Sequence, residues 1–167
     1  IAFMRQNNIK EALKSVDKML SVFPSDPYVL ELKGDILRNS GRLKEAILPY
    51  QKALSFIPWA ALIRANLAQV LLGLNQNADT PKALKQVNEA LRYEPDLIQA
   101  WHLAAVAYGR LNDRGNLALA LAEKSLLQGR DQDTRRHVKQ AMQHFPEGSS
   151  GWLRAQDISN TLVNWFR

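Results

Sequence analysis

No cysteine occurs among the 167 residues, which excludes a disulfide scaffold, a thiol nucleophile and any cysteine-ligated zinc or iron–sulfur centre. The absence selects no compartment, because a cysteine-free chain survives in oxidising and reducing surroundings alike. No apolar run approaches the roughly 18–20 residues that span a bilayer; the longest candidate, Trp59 to Leu74, is interrupted by Arg64, Asn66 and Gln69. Histidine is scarce, and none of His102, His137 and His144 lies in an HExxH sequence. His137 and His144 share one helix face but are separated by about 10.5 Å of rise, which one ion with bonds near about 2.1 Å does not bridge. Phosphate-loop, dinucleotide and serine-elbow patterns are absent as well. No catalytic, cofactor-binding or metal-binding residue is therefore expected in this chain.

What is present is an ordinary folding composition, with 46% apolar and 23% charged residues, too apolar for a disordered chain. The net charge is +6, and residues 1–103 hold 13 basic and 10 acidic side chains while 104–167 hold 9 and 6. Divided there, the excess is even, whereas a nucleic-acid binder gathers its charge into a patch. The lysine stripe Lys10, Lys14, Lys18 and the cluster Arg130, Arg135, Arg136, Lys139 both have acidic neighbours and read as solvated faces. Asp131 and Asp133 stand at a predicted helix start, where they complement the dipole. The four tryptophans read as core or interface anchors rather than base-stacking platforms.

Repetition organises the rest. Pro24, Pro58 and Pro95 close similar phrases and stand 34 and 37 residues apart. Aligning them brings Ala12, Ala46 and Ala83 into register, then Val16, Tyr50 and Val87, then Met19, Ala53 and Ala90. The three extra residues fall in the polar stretch 75–79, which suits a lengthened turn. In one unit, Asp26 caps a helix that opens on Pro27, and Gly34 leaves room where another helix comes close. Asn39-Ser40-Gly41 ends that helix, and a second follows with Leu43, Ala46, Ile47, Tyr50, Ala53, Leu54 and Ile57 inward. Two helices of this length do not bury their apolar faces alone, so pairs must stack.

These phrases resemble the tetratricopeptide repeat, through Gly34, Ala46, Tyr50, Ala53 and Pro58 and, in the third pair, Trp101, Ala105 and Tyr108. Ala68 in place of glycine and Arg64 in place of a large apolar residue depart from that pattern. The resemblance implies an all-α, right-handed superhelical solenoid of stacked antiparallel helix pairs with a C-terminal capping helix. Residues 1–128 would form the pairs, the first truncated, with Ile1 inside its first helix and Ile9 to Phe23 as its second. Residues 129–167 would add atypical helices in the same domain: Asp131 to Phe145, then Trp152 to Phe166 with Leu153, Ile158, Leu162, Val163 and Phe166 inward.

The phrase from Phe145 to Ile158 looks like the closing segment of bacterial HExxH zinc metallopeptidases of the beta-barrel assembly-enhancing protease type. That resemblance implies a non-catalytic recognition half, zinc held in an upstream peptidase domain, that domain and unfolded envelope proteins as partners, and a periplasmic home. The alternative is a free-standing scaffold or chaperone-like adaptor without a protease. In either case the partner is a protein or peptide, with no nucleic acid and no transmembrane segment, and self-association through the open first end is allowed. The family's groove-facing pattern implies Tyr28, Glu31, Asp35, Arg38, Ala65, Asn66, Gln69, Gln99, His102 and Arg110 as binding candidates. Relatives that clamp a peptide carboxylate use Lys, Asn and Arg there; Glu31 and Asp35 oppose such a clamp, so none is expected.

Overall fold

The computed structural model describes residues 2–164, and the side chains of 8–76 and 78–162. Among these residues there are nine α-helices and no strand: α1 (Ala2–Val22), α2 (Pro27–Asn39), α3 (Leu43–Phe56), α4 (Ala61–Gly73), α5 (Thr80–Tyr93), α6 (Ile98–Arg110), α7 (Arg114–Leu127), α8 (Asp131–His144) and α9 (Ser150–Asn164). The Val163 side chain, Trp165 and Phe166 lie outside the described residues, as does Ile1. The expected all-α class of paired helices is what the chain adopts.

Contacts group the helices into two units, Ile1–Tyr93 and Glu94–Arg167. In the first, α1 to α5 each pack on the next, and α2 also touches α4. In the second, α6 packs on α7, α7 on α8, and α9 on both α7 and α8. The boundary changes the charge picture. Residues 1–93 carry 13 basic and 8 acidic side chains and 94–167 carry 9 and 8, so the excess is +5 against +1 rather than even.

Local signals set most helix ends. Asp26 Oδ1 accepts the Tyr28 and Val29 amides at 2.9 and 3.1 Å, satisfying donors that no helical carbonyl reaches. Gly41 closes α2 with φ of +79°, so the Arg42 amide reaches the Leu37 carbonyl at 2.9 Å, the bond pattern of a left-handed helix stop. The longer turn after α4 contains Asn75 at φ +55° and a 3-10 turn over Asn77–Asp79, where the three extra residues were expected. The α3 helix continues through the buried Pro49.

Packing follows the register read from the prolines. Val16, Ala46, Tyr50, Ala53, Ala83, Val87 and Ala90 are all buried. The Tyr50 ring lies directly over Gly34, where a Cβ would sit 2.7–2.8 Å from ring carbons. In the second unit Phe145 plays a similar part. Its ring fills the space that a side chain on Gly115 of α7 or Gly151 of α9 would need, and it packs on a cluster of Ala118, Ala122, Val138, Ala141, Ala155 and Ile158. The α9 helix thereby covers that cluster.

Three expectations need correction. Residues 2–22 form one continuous helix and not the end of one helix followed by another; no glycine or proline precedes Ile9 to interrupt it. Met19 is 45% exposed although its register partners Ala53 and Ala90 are fully buried. The α1 helix packs on α2, whereas α3 is held between α2 and α4. Leu153 is 47% exposed and Ala155 is buried in its place. Ala155, Ile158 and Leu162 make the inward stripe of α9 at spacings of three and four.

Candidate functional site

Four candidates follow each other on α2 at spacings of three, four and three, which puts Tyr28, Glu31, Asp35 and Arg38 on one helix face. The first helix of the next pair, α4, brings Asn66 and Gln69 beside them. Arg38 joins the two helices: Nη1 donates to Gln69 Oε1 at 2.6 Å and to Asn66 Oδ1 at 3.2 Å, and Nη2 to Asp35 Oδ1 at 3.2 Å. Asp35 Oδ1 also accepts the Tyr50 hydroxyl at 2.5 Å and the Asn66 amide at 3.4 Å. Arg38 Nε is enclosed and has no acceptor.

Tyr50 is the member of this network that the sequence did not announce. It reads as one more apolar position of α3, yet its hydroxyl reaches across Gly34 to Asp35. Burial first, then the hydrogen bond and charge of Asp35, push its phenol well above the usual range. Glu31 differs from its neighbours, making no hydrogen bond or ion pair with the described residues. Burial and then the nearby Asp35 charge raise its carboxyl above the ordinary carboxylate value.

The candidates divide by what the fold does with them. Glu31, Asp35, Arg38, Asn66 and Gln69 come together, and Tyr28 stands one turn before Glu31 with 70% of its surface exposed. Ala65 is fully buried, so it touches core atoms and not a ligand; the face of α4 is presented instead by Gln69 and by Leu62, which is 47% exposed. Leu62 occupies the repeat position of Tyr28, four residues after the proline, and that register was the signal for it. Gln99, His102 and Arg110 lie on α6 in the second unit. His102 Nδ1 is 3.3 Å from Lys124 Nζ; partial burial first, and then the Lys124 charge, lower its pKa. Gln99 and Arg110 also make polar or electrostatic interactions.

Arg64, the departure from the repeat pattern, has a structural counterpart in the next repeat. Arg64 Nε donates to the Pro58 carbonyl at 2.8 Å, and Trp101 Nε1 donates to the Pro95 carbonyl at 2.7 Å. Both residues stand six after the proline that closes the preceding pair. Arg64 also reaches Gln86 of α5 at 2.9 Å and lies 5.9 Å from the centroid of the Tyr93 ring. In the second unit the buried Glu123 of α7 is held by Arg154 of α9, through Nε at 2.5 Å and Nη2 at 3.0 Å. Two parallel bonds of this kind suit the planar guanidinium.

Among the described residues no group of three or more His, Cys, Asp or Glu side chains is placed to hold a metal ion. No described helix is long and apolar enough to cross a membrane. The paired helices, the small-residue contacts at Gly34 and the proline-closed turns define an all-α helical-repeat protein. Residues 1–63 match the tetratricopeptide repeat family model, so this part of the chain is a tetratricopeptide repeat region. The chain is 28% identical over 99 residues to tetratricopeptide repeat protein 7A of Homo sapiens, a stretch that is 59% of this chain and 11% of that protein. It thus spans about a tenth of the length of the curated relative it matches. Among solved structures it is similar to MamA, residue 41 to the end, from Desulfovibrio magneticus RS-1, with a TM-score of 0.69 and 18% identity over 96% of this chain and 87% of that one. It is also similar to TTC0263, a thermophilic TPR protein in Thermus thermophilus, with a TM-score of 0.55 and 16% identity over 95% and 94%. At these identities the likeness is one of fold.

Proposed function

We propose that this chain is a non-catalytic protein-interaction module that binds a peptide or partner segment on the face shared by α2 and α4. One observation carries the reading: Arg38 ties Asp35 to Asn66 and Gln69 across two successive repeats. The polar groups of the face are thereby held in place before any partner arrives, which lowers the ordering cost of binding. Exposed Tyr28 and Leu62 flank this network and offer apolar contact area, as the anchors of interfaces do. Tyr28→Ala and Gln69→Ala change only exposed side chains. Both variants should keep the helical circular dichroism and lose partner capture by the immobilised chain; unchanged capture would reject the reading.

In its finer form the module is the recognition half of a zinc-dependent metallopeptidase acting on envelope proteins in the bacterial periplasm. The support is the resemblance of residues 145–158, and zinc would belong to the peptidase domain and not to these residues. The fold supports a free-standing scaffold equally, and the clamp of Phe145 between Gly115 and Gly151 gives the 145–158 phrase a packing role of its own. The parent reading frame decides: an upstream HExxH with a downstream glutamate ligand supports the finer form, and its absence removes it. Self-association through α1, where Met19 and Val22 are exposed, would make the oligomeric state depend on concentration.

A further inference from the structure

The charges on the α2–α4 face are not equivalent. Arg38 is its one cation, and the guanidinium is already engaged by Asp35, Asn66 and Gln69, so it offers little to an incoming carboxylate. The charge of Asp35 is met by Arg38, and its Oδ1 also receives Tyr50 and Asn66. Glu31 is left as the one ionised group of the face without a counter-ion among the described residues. Tyr28 stands three residues before it on α2, a spacing that brings helix side chains within about 5–6 Å at Cβ. The next repeat adds the exposed Leu62.

We propose that this face takes a peptide segment carrying a lysine or arginine side chain beside an apolar one, with Glu31 as the counter-ion. The inference rests on the reading of the face as a peptide site. A cation there gains Coulomb energy from Glu31, the paired charges of Asp35 and Arg38 largely cancelling, and the Tyr28 ring offers a π face of the kind that attracts cations within about 6 Å. An incoming carboxylate meets Glu31 with no free cation to offset it. The preference is opposite in sign to the whole chain, whose net charge of +6 attracts anions at long range. A generic electrostatic effect therefore does not mimic it.

The test uses the full chain and two fluorescein-labelled octapeptides of alternating Leu, Ala and Lys, or of Leu, Ala and Glu, followed by fluorescence anisotropy at about 0.15 M salt, where long-range steering is screened. The lysine peptide should bind about fivefold to tenfold tighter than the glutamate peptide. Glu31→Gln should remove most of that difference and Glu31→Lys should invert it. Equal or tighter binding of the glutamate peptide, a lysine peptide indifferent to Glu31→Gln, or no binding of either peptide would each overturn the inference. Tyr28→Ala separates the two levels. If it weakens both peptides while the charge preference is absent, the face is a peptide site and only the cation preference falls. If it changes neither, the reading of the face falls too.

Discussion

Gly34 and Glu31 sit one turn apart on α2 and constrain the chain in different ways. Gly34 is fixed by sterics, because the Tyr50 ring occupies the space of any Cβ and is itself fully buried and tied to Asp35 through its hydroxyl. The ring has nowhere to retreat. Gly34→Ala should gain about 1 kcal/mol in helix propensity and still lose overall, since overpacking costs about 1–3 kcal/mol; a lowered thermal midpoint checks this. Glu31 is constrained by charge. Its folded pKa lies above the ordinary carboxylate value, so ionisation opposes folding, and stability falls as pH rises through the raised value. Glu31→Gln should raise the melting temperature at pH 7, by no more than about 2 °C for a group that is only partly buried. The two curves should converge below the ordinary glutamate pKa, near pH 4.

At the scale of helices, what the sequence disclosed depended on how local each signal was. The Asp26-Pro27 start and the Gly41 stop were legible because the groups that satisfy each helix end lie within a few residues of it. The inward phase of α9 was not legible, since Leu153 and Ala155 are both apolar and the choice between them depends on packing against α7 and α8. The same holds for Ala65, whose burial is set by neighbouring helices. Tyr28, Glu31, Asp35, Arg38, Asn66 and Gln69 follow from the groove-facing pattern that the tetratricopeptide resemblance implies, whereas the Tyr50 hydroxyl and the exposure of Leu62 are read from the fold. The pair Glu123 and Arg154 was hidden by its 31-residue separation. It fastens α9 to α7, and Arg154→Ala leaves a buried carboxylate without its donor. The urea midpoint should drop by an amount equivalent to about 1–3 kcal/mol. Replacing both partners, Glu123→Gln with Arg154→Met, should recover part of that loss.

For the whole molecule, the contact boundary at 93/94 changes what the net charge means. The excess belongs mainly to the first unit, at +5 against +1. There Lys10, Lys14 and Lys18 of α1 and Lys44 and Lys52 of α3 are exposed, without ion pairs among the described residues, and spread over separate helices. Such a spread supports at most loose phosphate contact. Anisotropy with a generic DNA duplex should give dissociation constants weaker than about 100 µM at about 150 mM salt. Micromolar binding with a steep salt slope would instead identify a nucleic-acid surface on α1 and α3.

After Pro58 and Pro95, though not after Pro24, where the position is the buried Leu30, the requirement six residues on is an N–H aimed at the proline carbonyl, met by Arg64 and Trp101. An indole and a guanidinium meet that requirement with different bulk and opposite affinity for water. A designer of such arrays therefore has a site where solubility and charge are adjustable from repeat to repeat while the turn stays latched.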